Sequence, residues 1–479
     1  MDVDPAAAAA LPQRLGEALG GGAVTTDPAE LAPWTTDWRG RVSGRALALV
    51  SPADTAGVAA AVRLCAAAGV AIVPQGGNTS MVAGATPPGE GQAVILSLRR
   101  MRAIRAISPA DNVAVVEAGV VLEDLHRAAA AGGRRFPLSL AAKGSATIGG
   151  LIATNAGGTQ VLRFGPMRSL VLGIEAVLAD GSVFEGLSAL RKDNRGYDLR
   201  QLIAGSEGTL GIVTAASLKL VPEPAARAVA WAGLATPAAA LDLLRQLEAE
   251  TGEAVESFEI VPADALALVL RHIPGTRPPL DGAHPWHVLI EATGRDPAPA
   301  IEAGLAAAIE AGLVADAVVA ASEAQAEALW RLRESISEAE RVDGAAAKHD
   351  VSVPVGRMPA FLESGRAAVE RAFPGARVLA FGHLGDGNVH FNVRPPLGDD
   401  GWLAAQGAAA SRLVHDLAMA EGGSISAEHG IGQTKLAEFL RTADPVRLAA
   451  MRAIKRALDP AGLLNPGKLL PLAQAGTGQ

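Results

Sequence analysis

The chain has 479 residues, 49% of them hydrophobic, and 50 acidic against 42 basic side chains give it a formal net charge of −8. That length allows two or three domains with ample core, and the mild acidity, with no basic cluster to offset it, leaves no electrostatic footprint for nucleic acid. The single cysteine, Cys65, excludes intrachain disulfides, zinc fingers and iron–sulfur ligation.

The opening Met1-Asp2-Val3-Asp4 and the alanine run after it carry no positive n-region, and no apolar stretch is long enough to span a bilayer. A cytoplasmic protein without a transmembrane segment is the expectation, with residues 1–44 as an N-terminal helical segment. Ser51-Pro52-Ala53-Asp54 predicts a helix start with Ser51 as N-cap and Pro52 in the first turn; Val58, Val62 and Cys65 then share a face, and Gly69 ends the helix. A strand at Ala71–Val73 feeds Pro74-Gln75-Gly76-Gly77-Asn78-Thr79-Ser80, small residues whose amides can point inward at an anion, although an ordinary strand-to-helix turn fits them equally well. No GxGxxG and no Walker lysine accompany this loop, so neither a nicotinamide-type Rossmann site nor a P-loop is supported.

Strands at Ala93–Leu98 and Val113–Val120 precede a second run of small residues, Pro137-Leu138-Ser139 and then Gly144-Ser145-Ala146-Thr147-Ile148-Gly149-Gly150-Leu151-Ile152-Ala153-Thr154-Asn155-Ala156-Gly157-Gly158. A third follows at Gly205-Ser206-Glu207-Gly208-Thr209-Leu210-Gly211-Ile212, and between them Ala179-Asp180-Gly181-Ser182 predicts a hairpin. Three loops built for close backbone approach within one half of the chain point to one long cofactor rather than three small sites.

At Val221-Pro222-Glu223-Pro224 the texture changes, and this linker-like stretch is the expected domain boundary. Beyond it, strand-like runs (Val288–Glu291, Val314–Val319, Val351–Val355, Arg377–Phe381) alternate with amphipathic helices (Ala238–Glu250, Ile301–Ala311, Glu323–Arg341, Met358–Ala372). That alternation predicts an α+β domain with helices packed on one antiparallel sheet. On the third of these helices Arg333 and Ser337, four apart, are expected to share a face, and Lys348 to precede the next strand. Solvated surface is the commoner fate of such residues; converging, they would form a clamp for a carboxylate.

Phe381-Gly382-His383-Leu384-Gly385-Asp386-Gly387-Asn388-Val389-His390-Phe391-Asn392 predicts two short strands about a tight turn, which would bring His383 and His390 side by side. With Glu428, from the glycine-bracketed Ser426-Ala427-Glu428-His429-Gly430, they would offer an ion three ligands and leave positions open, as in a catalytic metal site, with His429 left over as a base. The spacing matches no short metal motif and the same ligand types serve iron as well as zinc, so surface or satisfied core histidines remain the alternative at this point. The tail from Leu458 to Lys468 is turn-rich and not expected to be helical.

Taken in order, Pro74 to Thr79, Thr147-Ile148-Gly149-Gly150 with Ala153 to Gly158, Lys192-Asp193-Asn194 with Gly196-Tyr197-Asp198-Leu199, Gly205 to Gly211, Gly382 to Asn388 with His390, Ser426 to Gly430, and Asn465-Pro466-Gly467-Lys468 resemble the FAD-linked 2-hydroxyacid dehydrogenases of the vanillyl-alcohol oxidase superfamily. The resemblance runs over about residues 45 to 470 and implies an α+β fold: a PCMH-type FAD-binding domain of two α+β subdomains (45–222), an α+β substrate and metal domain with an antiparallel sheet (223–425), and a C-terminal segment returning to the flavin (426–479). It implies FAD bound non-covalently, since the phosphate loops hold no histidine for attachment. The implied flavin-binding residues are Pro74 to Ser80, Gly84, Pro137, Gly144, Thr147, Gly149, Gly150, Thr154, Asn155, Gly157, Glu207, Gly208, Gly211, Ile212 and Asn465. It makes His383, His390 and Glu428 ligands of a divalent metal, with zinc expected, and Arg333, Ser337, Lys348, Asn392 and His429 the substrate shell. Two departures stand out: Ser337 lies where the family more often has Thr, and Ser80-Met81-Val82-Ala83-Gly84-Ala85 lacks a glycine that the loop usually carries.

The implied reaction is oxidation of a D-2-hydroxy acid, with the metal on the α-hydroxyl and a carboxylate oxygen, His429 taking the proton and a hydride moving to flavin N5. Arg333 and Lys348 give the clamp two positive charges, more than one chelated carboxylate requires, which favours a dicarboxylate, D-2-hydroxyglutarate going to 2-oxoglutarate. D-lactate or glycolate oxidation is the alternative, and from another class a flavin-binding module without catalysis. Electrons must leave to an external acceptor, such as an electron-transfer flavoprotein, a quinone or a cytochrome, and a homodimer is the assembly expected.

Overall fold

The computed structural model describes residues 5–89 and 93–471, so the opening Met1 to Asp4 lie outside the described residues. The chain divides into two compact units, one of Met1–Ala156, Pro166–Glu223 and Glu428–Gln479, the other of Gly157–Gly165 and Pro224–Ala427. Both mix helices and sheets, an α+β architecture. Among the described residues no helix is long and apolar enough to cross a membrane.

In the first unit β1 (Val24–Thr25), β2 (Ala48–Val50), β3 (Ala71–Gln75) and β4 (Ala93–Ser97) form a sheet in the order β1-β2-β4-β3, with β2, β4 and β3 parallel. Parallel strands need a crossover. Here it is the helix Thr55–Ala68, which buries Val58, Val62 and Cys65. Its N-cap is Asp54 rather than Ser51: the Asp54 carboxylate accepts from the Gly57 amide at 2.8 Å and the helix starts at Thr55, while the Ser51 amide bonds the Ala23 carbonyl at 2.7 Å. Gly69 closes the helix in the left-handed conformation, at φ 64.

The second sheet of this unit, β5 (Ile104–Ser108), β6 (Val113–Glu117), β8 (Val171–Val177), β9 (Val183–Gly186) and β10 (Ile212–Lys219), is antiparallel in the order β5-β6-β10-β8-β9. The Asp180-Gly181 turn joins β8 to β9 as the sequence predicts, with Gly181 at φ 79. A small pair, β7 (Arg134–Arg135) with β11 (Val221–Pro222), takes up half of the expected linker.

The second unit is built on one antiparallel sheet of β12 (Ala226–Leu234), β13 (Val255–Pro262), β14 (Trp286–Gly294), β15 (Asp316–Val319), β16 (Ala347–Ser352), β17 (Arg377–His383) and β18 (Asn388–Arg394), in the order β15-β12-β14-β13-β17-β18-β16. Side chains alternate between its faces. Phe258, Ile260, Ala380, Val389, Phe391 and Val351 enter the larger core with residues of the helices Pro237–Thr251, Ala298–Glu310, Met358–Ala372 and Trp402–Ala420. Val261, Leu289, Leu379 and Phe381, from the other face, pack with Ala263–His272, Glu323–Glu334 and Ile336–Asp343.

Two expectations fail here. The single helix over 323–341 is broken at Ser335, so Arg333 lies in the last turn of Glu323–Glu334 and Ser337 in the first turn of Ile336–Asp343; Arg333 is buried and Ser337 exposed, and they share no face. The strand placed at 351–355 instead runs Ala347–Ser352, so Lys348 is within it; it ends where its partner β18 begins at Asn388, and Pro354, without an N–H, could not extend the ladder.

Candidate functional site

The register of the second unit gathers polar side chains onto one face of the sheet. β17 and β18 meet through a turn with Gly387 at φ 82, and Phe381 lies opposite His390, which places the His383 and His390 rings 5.5 Å apart between centroids. β16 sets Lys348 opposite Asn392 and Asp350 opposite His390, and β13 sets Glu259 opposite His383. A period of two therefore delivers Glu259, His383, His390, Asn392, Lys348 and Asp350 to the same side. Asp350 Oδ1 accepts from Asn388 Nδ2 at 2.9 Å and lies 4.0 Å from His390 Nδ1.

Glu259 is fully buried and links the metal-type imidazole to the clamp. One of its oxygens pairs with His383 Nδ1 at 2.6 Å, and the other accepts from Arg333 Nη2 and Nε at 2.7 and 2.8 Å. The Arg333 guanidinium also stacks 5.0 Å from the Phe381 ring centroid. Burial opposes the charge on Glu259, but His383 and Arg333 outweigh it and hold the carboxyl down at about 2. Burial likewise opposes charge on His383, and the Glu259 carboxylate outweighs it, pushing the ring up to about 9.

The other cation has its own carboxylate. Lys348 Nζ is 2.6 Å from Glu340 Oε2, which also accepts from Asn392 Nδ2 at 2.9 Å, and Glu340 is fully buried. The expected surplus of positive charge in the clamp is therefore absent: Glu259 and Glu340 balance Arg333 and Lys348, because a desolvated cation is tolerated only beside a partner. No hydrogen bond among the described residues joins the exposed Ser337 to this group. Both glutamates escaped the sequence reading. Glu259 left a trace, being the one charge in the apolar Phe258-Glu259-Ile260-Val261, whereas nothing in Glu338-Ala339-Glu340-Arg341 separates Glu340 from a surface charge.

The residues fit a metal. A carboxylate on Nδ1 is what orients an imidazole whose Nε2 binds an ion, and Glu259 supplies it to His383. The Ala427 amide donates to the Asp350 carbonyl at 3.2 Å, so the chain leaves the edge strand there with Glu428 as its next residue. Glu428 and His429 open the last segment of the first unit, with His429 Nε2 4.0 Å from Glu428 Oε1.

In the first unit the three glycine-bearing loops pack on one another. A Cβ on Gly76 would lie 2.2 Å from Thr147 Oγ1, one on Gly77 1.9 Å from the Ser145 carbonyl, and one on Gly208 3.2 Å from Pro74. Gly144 and Thr147 lead into the short helix Ile148–Thr154, which holds Gly149, Gly150 and Thr154; Gly211 precedes β10, which starts at Ile212; and Pro137 follows β7 in irregular chain. Gly157 falls in the second unit.

Several side chains expected to face the flavin are occupied by the protein itself. Gln75 Nε2 bonds the Trp34 and Ala85 carbonyls, Asn78 Nδ2 the Thr36 carbonyl, Ser80 Oγ accepts from the Gly84 amide and Asn155 Oδ1 from the Arg168 amide. Asn465 Nδ2 spans the carbonyls of Gly84 and Glu207 at 2.9 and 2.6 Å. Gln75 Oε1, Thr147 Oγ1 and Asn465 Oδ1 are buried polar atoms with no hydrogen-bond partner among the described residues, and such atoms beside loops of small residues fit a bound cofactor. Ala83, in the loop that lacks the usual glycine, is buried and holds φ 56.

Residues 46–186 match the family described as FAD binding domain, and residues 223–469 that described as FAD linked oxidases, C-terminal domain. The mitochondrial D-2-hydroxyglutarate dehydrogenase of Bos taurus is 41% identical over 454 residues, 94% of this chain and 81% of that protein. The D-2-hydroxyglutarate dehydrogenase of Xanthomonas citri pv. viticola is 41% identical over 460 residues, 94% of this chain and 95% of that one. Among solved structures, p-cresol methylhydroxylase with substrate bound matches with a TM-score of 0.77 over 99% of both chains; at 17% identity this shows the PCMH-type fold alone. Fold and matched domains together define an FAD-dependent oxidoreductase acting on CH–OH donors. Within that class, the chain belongs to the FAD-linked D-2-hydroxyacid dehydrogenases.

Proposed function

We propose that the chain oxidises D-2-hydroxyglutarate to 2-oxoglutarate, using a divalent metal held by His383, His390 and Glu428 and a base at His429. The observation that carries the metal is the Glu259–His383 contact, a buried carboxylate spent on orienting an imidazole. The substrate follows from the relatives, which are D-2-hydroxyglutarate dehydrogenases. When bound, FAD supplies the hydride acceptor at N5 and the ion, with zinc as the expected metal, supplies Lewis-acid polarisation of the hydroxyl.

The chain's own residues do the rest. Lys348 gives one contact to Glu340 and has further ammonium protons to offer, and Asn392 likewise keeps one amide proton after its bond to Glu340. Arg333, fixed on Glu259 through Nε and Nη2, retains Nη1. The clamp thus offers donors for carboxylates without a net charge of its own. His429 takes the hydroxyl proton, a task suited to an imidazole near neutrality. The small-residue stretches Pro74–Ser80, Thr147–Gly157 and Gly208–Ile212 wall the flavin, more through backbone than through side chains, and the reduced flavin passes its electrons to an external acceptor.

Anaerobic titration of the yellow enzyme tests the substrate: D-2-hydroxyglutarate should bleach the flavin band where D-lactate does not. Bleaching by D-lactate or glycolate alone would move the assignment to monocarboxylates. Chelator-treated enzyme should keep its FAD and lose turnover, and oxidation at the full rate by metal-free protein would remove the metal from the reaction.

A further inference from the structure

We propose that Glu207 is a positioning residue for His429 and not a flavin contact, acting through the loop Gly430-Ile431-Gly432; this deepens, and rests on, the reading of His429 as the base. Glu207 is buried in the first unit, with its Oε1 accepting from the Ile431 amide at 2.7 Å and its Oε2 from the Gly432 amide at 2.8 Å. Consecutive amides converging on one anion form a nest, and the left-handed Gly430, at φ 80, turns the chain into it. A Cβ on Gly430 would stand 2.8 Å from Glu207 Oε1, so the approach is close enough to require glycine.

The carboxylate is itself held. The Glu207 amide donates to the Ala153 carbonyl at 2.7 Å, and its carbonyl accepts from Asn465 Nδ2 at 2.6 Å. Beyond the nest, the Gln433 amide bonds the Val82 carbonyl at 3.0 Å and its side chain the Ala83 and Thr86 carbonyls at 3.1 and 2.9 Å. The segment that follows His429 is therefore tied at Ile431, Gly432 and Gln433, and Glu207 holds the two ties nearest the imidazole. With both oxygens accepting, a carboxylate has no proton to give a phosphate or a flavin oxygen. Each oxygen is spent on an amide of this loop, and the anion would repel a phosphate rather than bind it, which sets Glu207 apart from the loop amides around it.

The test is a double-mutant cycle on the holoenzyme, with the rate of flavin reduction followed by stopped flow. Glu207→Gln turns an amide donor toward one of the two N–H groups. It should lower the reduction rate about ten- to a hundredfold while substrate and FAD affinities hold. In a His429→Gln background the same change should cost almost nothing more, because its only route to the chemistry is already gone. Full additivity, or loss of FAD from folded Glu207→Gln protein, would overturn the proposal. A His429→Gln enzyme that reduces flavin at the wild-type rate would overturn instead the base on which it rests. Should Glu207→Gln fail to fold by circular dichroism, Glu207→Asp, too short to reach both amides, carries the same cycle with the same outcomes.

Discussion

Arg333 and Glu259 meet in the protein interior: two guanidinium nitrogens lie 2.7 and 2.8 Å from a single carboxylate oxygen. Truncating the arginine leaves that carboxylate with His383 as its remaining charged partner within hydrogen-bond reach. Breaking a buried pair on one side typically costs about 3–5 kcal/mol, so Arg333→Ala should lower the urea midpoint sharply, and Arg333→Lys, which keeps the charge but not the fork, by less. A midpoint unchanged in the alanine variant would mean that the pair contributes nothing to stability.

Glu259→Gln addresses the other end of the same carboxylate. Removing the charge that orients His383 should weaken metal retention about 10- to 100-fold, read as metal content after dialysis against graded chelator, with FAD content unaffected. Equal retention would confine Glu259 to its arginine.

Ala83 is buried at φ 56, where a Cβ crowds the following carbonyl at a cost of about 1–2 kcal/mol. Glycine removes that strain but adds about 0.4–1 kcal/mol of unfolded-state freedom. Ala83→Gly should therefore hold or raise the melting temperature, by a net gain of about 0–1.6 kcal/mol. A lower melting temperature would show that the loop carries no strain at this residue.

His287 makes stability depend on pH. Burial, with a smaller push from His284, holds its ring down at about 4, and its Nδ1 accepts from Trp231 Nε1 at 3.1 Å. The unfolded chain takes up this proton near pH ~6.5, before the folded one does. The contribution is therefore whole above that value and declines as pH falls toward the folded one. His287→Asn keeps an acceptor and cannot titrate, so its denaturation free energy should fall less than the wild type's between about pH 7 and about pH 5. Parallel profiles would remove His287 as a source.

Local signals were legible in the sequence. The Asp-Gly-Asn turn brought His383 beside His390, and Gly69 and the Asp180-Gly181 turn fell where backbone geometry demands them. What stayed hidden is long-range. Arg333 and Glu259 lie 74 positions apart, and Glu207 grips an amide 224 positions away, distances over which no periodicity carries information. Charge balance was misjudged for that reason: a cation is visible in a sequence, and its partner is not. The break at Ser335 was masked by apolar spacing that continues through it, since Leu332, Ile336 and Ala339 are all buried.

The chain enters the second unit at Gly157, leaves it at Pro166, re-enters at Pro224 and leaves again at Glu428. Neither unit is one continuous stretch. A fragment cut from Pro224 to Ala427 would lack Arg163, the ion-pair partner of the fully buried Glu256, and one ending at Glu223 would lack Asn465 and its bonds to Gly84 and Glu207. On the ribosome, the loops of the first unit must wait for the segment from Glu428 onward before Asn465 can lock them, so that they close only after the whole second unit has been made.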